Sequence, residues 1–368
     1  MEDFNPLGGL KNFGSNCYLN TIVQCLRYSN SMRKLFSDNE NDSIVLNKVR
    51  ELQENNMNEI EKYPKLKKKI DYYCVYFTFK KLIHDLLHNS ETQTPETFVR
   101  ACYKLSKHTN QEYLFQDQND INECIIFLID AIHEAKASKI SMVSSMDDKN
   151  IITMEQKIKF DSYQTYKNTY ESQYSWLVEE YYFMIMTNIN CNQCKNKLFN
   201  YSPHNLLTLP IPDEDERGKT TLYDCLDHYF GKEVFDNKNQ WKCEKCENKE
   251  DNYKQYRITA TPTTLIITLK RYEDLGNRWK KINKMIDFPI ELDISNYKLG
   301  RNKTDCQYKL FAIGNHVGEM NFGHCYAYCR NIQKQPDTWY EYNDVRVSKM
   351  DDKNLFTSNA YLLLYERC

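Results

Sequence analysis

An α+β fold, a helical lobe followed by an antiparallel sheet lobe, is predicted by three features of this chain. Helical periods run to about Glu134, strand composition takes over from Tyr181, and a cysteine stands where the first helical pattern begins.

That cysteine is Cys17, in Gly9-Leu10-Lys11-Asn12-Phe13-Gly14-Ser15-Asn16-Cys17-Tyr18-Leu19-Asn20. Leu19, Ile22, Val23 and Leu26 follow at i, i+3, i+4 and i+7, so residues 17–36 are expected to form one amphipathic helix. Asn16 is expected to cap it, putting Cys17 in the first turn. Orphan N–H groups and the positive end of the helix dipole favour a thiolate there. Such settings lower a thiol pKa from about 8.5 to between roughly 3.5 and 7.5. A buried structural cysteine is the competing reading.

Further helices are expected over 77–88, 94–105 and 123–133. The polar stretch 135–173 has few helical periods and reads as an insertion or mobile connector. Strand composition marks 199–209, 255–261, 264–269, 308–316, 325–331, 338–347 and 360–365, with a short helix over 221–230. The cleft between lobes is the natural place for a site.

The chain has 368 residues, 41% of them apolar and 13% aromatic, which indicates a globular protein with a proper core. Its 49 Lys+Arg against 51 Asp+Glu give no electrostatic case for a nucleic-acid or membrane partner. The largely apolar run 264–269 is strand-sized, and no membrane span is expected. With fourteen cysteines and no signal peptide at its start, the chain is expected in a reducing compartment, cytoplasm or nucleus.

A thiolate nucleophile needs a base and something to orient that base. His324 opens a predicted strand within Gly323-His324-Cys325-Tyr326-Ala327-Tyr328. A turn near Lys334 and Gln335 would bring it opposite residues 343–345, where Asn343 or Asp344 can accept the imidazole N–H. His316 is the competing base, but the loop after its strand is expected to carry it elsewhere. An exposed strand-end histidine is the bland alternative for His324.

A second constellation is Cys191-x-x-Cys194 with Cys243-x-x-Cys246, each in a turn-prone stretch. Four thiolates make the closed tetrahedral set of a structural zinc site, with no position left for catalysis. The intervening strands must run out and back to join the two knuckles.

Together these residues resemble the ubiquitin-specific protease family of deubiquitinating cysteine peptidases. Gly9, Leu10, Asn12, Gly14, Cys17, Tyr18, Asn20, Gln24 and Leu26 match that family's cysteine box, with Ser15, Asn16, Leu19 and Thr21 departing from it. Leu310, Ala312, His316, Gly318, Gly323, His324, Ala327 and Tyr328 resemble its histidine box, where Cys325 replaces the usual Tyr. Trp339, Tyr342, Asn343, Asp344, Val347 and the run 360–365 complete the C-terminal signature. The acidic box is degraded to Gln118-Asn119-Asp120-Ile121-Asn122-Glu123, and 207–212, 222–230 and 241–243 are similar to the fingers region. Residues 262–272 and 288–289 resemble the palm; about 40–75 and 136–178 stand outside the resemblance.

The resemblance implies a papain-like peptidase of thumb–palm–fingers type. Residues 1–135 would be the helical thumb, 136–178 an insertion, 179–255 zinc-bearing fingers and 256–368 the palm. Cys17 would attack the carbonyl after a C-terminal Gly-Gly, His324 would relay the proton, and Asn343 would complete the triad. Asn12 would help form the oxyanion hole with Asp344 in support, and Asp120 and Glu123 would receive arginines of the ubiquitin tail. Expected partners are ubiquitin and ubiquitinated proteins, bound by a monomer, with structural zinc as the cofactor. Alternatives are a silent ubiquitin-binding scaffold and a peptidase for another ubiquitin-like modifier. No accessory domain fits, so targeting is expected from surface loops, from 136–178, or from parts outside this sequence.

Overall fold

A computed structural model describes residues 7–37, 42, 47, 50, 64–111, 115, 117, 119–143, 151, 153–213, 219–235, 239–249, 251–274, 276, 279–300, 304–319, 323–330 and 338–368. Gln118 and the expected turn at Lys334 and Gln335 lie outside them.

Helix α1 spans Cys17–Arg27 and stops short of the expected length. The chain breaks at Tyr28 and Ser29, whose N–H groups close on the Cys25 and Leu26 carbonyls, before α2 (Asn30–Ser37). Nor is α1 a surface helix with one apolar stripe, because every residue in it is buried. Its polar side is satisfied internally. Gln24 Nε2 and Arg27 Nη1 donate to the Gly8 carbonyl at 3.0 and 3.2 Å, and Thr21 Oγ1 to the Cys17 carbonyl at 2.9 Å. An unmet donor at this depth would cost about 1–3 kcal/mol, so these polar residues fix where the helix sits.

Helices α3 (Pro64–His88), α4 (Glu96–Thr109) and α5 (Ile121–Lys136) overlap the expected ones and complete the helical lobe. Asp120 caps α5 through the Asn122 N–H. Stretch 136–178 holds more helix than its polarity suggests. Helix α6 (Met154–Tyr170) begins with a Thr153–Gln156 capping box, and α7 (Leu177–Tyr181) follows. Only Ile158, Ser162 and Tyr170 of α6 are buried, so it has no apolar stripe for a periodicity to detect. Helix α8 covers Leu222–Phe230.

Two larger sheets follow. In the first, β1 (Phe183–Asn190) lies between β2 (Lys197–His204) and β5 (Tyr253–Ala260), with the two-residue β4 (Glu233–Val234) on the far edge of β5. The second joins β3 (Leu207–Pro210), β6 (Thr264–Lys270), β12 (Ala360–Arg367), β8 (Gln307–Gly318), β9 (Gly323–Arg330), β10 (Trp339–Asn343) and β11 (Arg346–Lys349) in that order, with β7 (Glu291–Asp293) beside β8. The expected single strand 199–209 is thus divided between two sheets, and 338–347 is a hairpin turning at Asp344 and Val345.

The second sheet is buried on both faces. Leu362 and Leu364 pack with α1, α3 and α5, while Leu363 and Tyr365 enter a second core with Leu222, Leu226 and Phe230 of α8. The first core clamps α1 against β9, and the candidate site residues Cys17 and His324 lie at that seam. No helix of the described residues is long and apolar enough to cross a membrane.

Candidate active site

Cys17 opens α1 as expected, but Asn16 does not cap it through its side chain. The Asn16 amide oxygen instead accepts the Phe13 N–H at 2.7 Å, and its Nδ2 donates to Asn20 Oδ1 at 3.0 Å. Asn12 Oδ1 accepts from Gly14 N at 2.9 Å, in a turn where Gly14 takes a φ of 119°. These side-chain bonds shape the loop that delivers Cys17.

His324 lies on β9 beside α1. Its Nε2 donates to Asn343 Oδ1 at 2.7 Å, and its ring also hydrogen-bonds Cys17. Of the two orienting residues left open by the sequence, Asn343 makes this contact.

Asp344, itself at a φ of 52°, has different partners. Asn12 Nδ2 donates to its Oδ2 at 2.9 Å and Asn20 Nδ2 to its Oδ1 at 2.8 Å. Its backbone carbonyl accepts the Leu10 N–H at 2.9 Å. Asn20 was part of a matched motif, but nothing in its local pattern points to a partner 324 positions away.

The electrostatics suit a thiolate. The Cys17 thiol is lowered from an ordinary 9.0 to about 6, first by a hydrogen bond from the Cys325 thiol, against the penalty of burial. The Cys325 backbone N–H and the charge of His324 lower it further, while Asp344 opposes them. Burial pulls the His324 pKa down, but the bond to Asn343 and the charge on Cys17 outweigh it, so the net shift is upward. The two shifts run in opposite directions, each group's charged form favouring the other's.

His316 stays close to the site, contrary to expectation. It pairs across the strands with Cys325, and its Nδ1 contacts the Tyr272 hydroxyl at 2.6 Å. Burial, then Lys281 and His324, lower it to about 4, so it is neutral and a poor competitor for the base.

The acidic-box residues differ from one another. Asp120 accepts the Asn122 N–H on one oxygen and the Tyr361 hydroxyl on the other, each at 2.6 Å, whereas Glu123 is exposed in the first turn of α5.

Far along the chain, the sulfurs of Cys191, Cys194, Cys243 and Cys246 lie within 4.8 Å of one another. The closest cross-knuckle pairs are 3.5 and 3.6 Å apart, near the roughly 3.8 Å edge of a tetrahedron with 2.3 Å metal–sulfur bonds. The knuckles repeat one backbone design. Cys191 N bonds the Asn196 carbonyl and Cys243 N the Asn248 carbonyl, with Lys195 and Glu247 at φ 60° and 61°. Asn252 ties them together, accepting from Asn192 N and donating to the Trp241 and Asn248 carbonyls. The donor set fits a structural zinc ion.

The family model described as ubiquitin carboxyl-terminal hydrolase matches residues 8–365. The chain is 26% identical over 373 residues to ubiquitin carboxyl-terminal hydrolase Usp2 of Drosophila melanogaster, covering 100% of this chain and 35% of that protein. It is 30% identical over 273 residues to probable ubiquitin carboxyl-terminal hydrolase R319 of Acanthamoeba polyphaga mimivirus, covering 72% of this chain and 56% of that one. The chain thus spans about a third to just over half the length of these curated relatives. In fold it is similar to the solved SAGA Ubp8/Sgf11/Sus1/Sgf73 DUB module bound to ubiquitin aldehyde. The TM-score is 0.68 at 24% identity, covering 100% of this chain and 71% of the other.

Proposed function

The chain belongs to the ubiquitin carboxyl-terminal hydrolase family, and from that premise we propose that it is a thiol-dependent deubiquitinase. It hydrolyses isopeptide or peptide bonds after the C-terminal glycine of ubiquitin. The observation that carries this reading is the meeting of Cys17 and His324, with His324 Nε2 held 2.7 Å from Asn343 Oδ1.

In this reading Cys17 is the nucleophile, already ionised beside a protonated His324. His324 gives its proton to the departing lysine amine, then draws one from the water that hydrolyses the thioester. Asn343 keeps the ring in the required orientation. The Cys17 N–H and the second amide hydrogen of Asn12 stabilise the oxyanion, since only one Asn12 hydrogen is spent on Asp344.

Glycine offers a site nothing to grip, so specificity falls to the folded body of ubiquitin and to its tail arginines. Exposed Glu123 is available to such an arginine, while Asp120 must share its carboxylate with Tyr361. That sharing favours one second reading, a peptidase for a related modifier with a different tail. Cys191, Cys194, Cys243 and Cys246 hold zinc, which stabilises the fingers and takes no part in bond cleavage. The protein acts as a monomer on ubiquitinated proteins in the cytoplasm or nucleus.

The test is labelling by ubiquitin carrying a C-terminal thiol-reactive group. Labelling of the wild type that is lost in Cys17→Ala is the expected result. Wild type that binds ubiquitin without reacting would point to a silent scaffold, and failure to bind would point to another modifier.

A further inference from the structure

Helix α1 and strand β9 carry two cysteine pairs in matching register. Cys17 and Cys25 are eight residues apart on the helix, about 12 Å at 1.5 Å per residue. Cys325 and Cys329 are four apart on one face of the strand, about 13 Å. All four cysteines pack in one core, where Cys325 hydrogen-bonds Cys17 and Cys329 hydrogen-bonds Cys25, so the two elements run in the same direction along their seam. All four are free thiols, and Cys325 occupies the position where the family usually places Tyr.

From this geometry we infer that Cys17 and Cys325 form a reversible disulfide when the enzyme meets hydrogen peroxide. Cys325 thus acts as a resolving thiol built into the active site. The inference rests on the proposed role of Cys17 as the reactive thiolate.

The chemistry balances. The Cys17 thiolate attacks one peroxide oxygen and the O–O bond breaks; the departing hydroxide takes the proton of the His324 imidazolium and leaves as water. Cys17 is now a sulfenic acid. The Cys325 sulfur attacks the Cys17 sulfur, the S–O bond breaks, and the displaced hydroxide leaves with the Cys325 proton as a second water. Two electrons have passed from two sulfurs to one peroxide. A dithiol reductant reverses the outcome by exchange.

The inner pair is a control within the same seam. Cys25 and Cys329 are fully buried, and burial pushes the Cys329 thiol well above its ordinary value; Cys325 is also held well above its own, first by its bond to Cys17 and then by burial, so Cys17 alone sets the outer pair apart. Cys17 is 3% exposed and already ionised at neutral pH, at the one place where the fold must admit a substrate. Any motion that admits a diglycine tail also admits a molecule little larger than water. Reactivity follows the thiolate and access together, so oxidation selects the outer pair.

The physical benefit is protection from over-oxidation. A sulfenic acid without a neighbouring thiol proceeds to sulfinic acid, which ordinary reductants do not restore. Tyr at position 325 offers no such exit.

The test is to treat the intact, zinc-loaded protein with hydrogen peroxide, block free thiols, and map peptides without reduction. We expect Cys17 linked to Cys325, lighter by two hydrogens, with Cys25 and Cys329 still blocked as free thiols; a dithiol should then restore both Cys17 and its labelling. Cys325→Ser should convert Cys17 to sulfinic acid under the same dose and lose the dithiol rescue. Cys17 found as sulfinic acid in the wild type, or linked to any other cysteine, would overturn the inference; so would a folded Cys325→Ser protein that recovers like wild type. The wild-type map decides alone if the variant does not fold. It reads a bond, not turnover, so it stands apart from any failure of the hydrolase reading.

Discussion

Asn12 Nδ2 donates to Asp344 Oδ2 at 2.9 Å, joining residues 332 positions apart. Asn20 holds the other oxygen of the same carboxylate, so two amides fix Asp344 and Asp344 in turn fixes the Asn12 amide plane. Asn12→Ala should lower kcat by roughly 10²–10³-fold with little change in KM, as removal of one oxyanion donor does. Asp344→Ala should lose less, and the double variant should be no worse than Asn12→Ala alone. Steady-state kinetics on a fluorogenic ubiquitin substrate measures this, and a change confined to KM would refute the oxyanion assignment.

The pH dependence follows from opposite shifts in the pair. The Cys17 thiol is depressed to about 6, so alkylation by iodoacetamide should rise as pH climbs through about 6 and then level off. An ordinary thiol would still be gaining near 9.0. Raised His324 keeps its proton above its usual range, so kcat/KM should fall only at higher pH. These apparent values belong to the coupled pair. A depressed acid stabilises the fold fully above its unfolded pKa, and that contribution is lost as pH falls through about 6. An alkylation midpoint near the ordinary thiol value would exclude the ion pair.

Gly9 has no room for a side chain. A Cβ there would lie 2.6 Å from the Val345 carbonyl oxygen and 3.0 Å from that of Asp344. Both obstacles are backbone and neither can rotate away. Gly9→Ala should therefore destabilise the protein by about 1–3 kcal/mol and displace the turn that carries Asp344. Thermal denaturation and probe labelling should both decline, and an unchanged melting temperature would show that the contact yields.

Removing the zinc proposed at the four clustered cysteines should separate binding from chemistry. Cys243→Ser, or a strong chelator, should increase hydrogen exchange across β1 and β5 and raise KM more than it lowers kcat. Alkylation of Cys17 should keep its rate, because the four sulfurs belong to the β1–β5 sheet and Cys17 to the α1–β9 seam. A fall in Cys17 reactivity would mean that the two regions communicate.

The main outlines were legible where a residue's role follows from its own neighbourhood. Cys17 declares itself by standing ahead of apolar helical spacing, and β12 by an unbroken apolar run buried on both faces. Other features depend on partners the local pattern does not name. Asn16 occupies the cap position yet spends its side chain on Phe13 and Asn20. The break at Tyr28 interrupts a period that could have continued. Helix α6 is held by a capping box and by Ser162 against Thr259, at 2.6 Å, with no apolar face to reveal it. His316 was expected to leave the site, but pairing of β8 with β9 sets it opposite Cys325.

The hairpin that turns at Asp344 and Val345 sends the adjacent side chains of Asn343 and Asp344 to different partners, one to His324 and one to the amides of Asn12 and Asn20. Its consequence concerns time. During synthesis the proposed nucleophile Cys17 emerges early, and the residues proposed to orient its base and its oxyanion donor emerge more than three hundred residues later. Contacts of such long sequence separation form late. The growing chain therefore carries Cys17 without its orienting partners until these residues follow, and in the proposed reading hydrolytic competence waits for nearly the whole described fold.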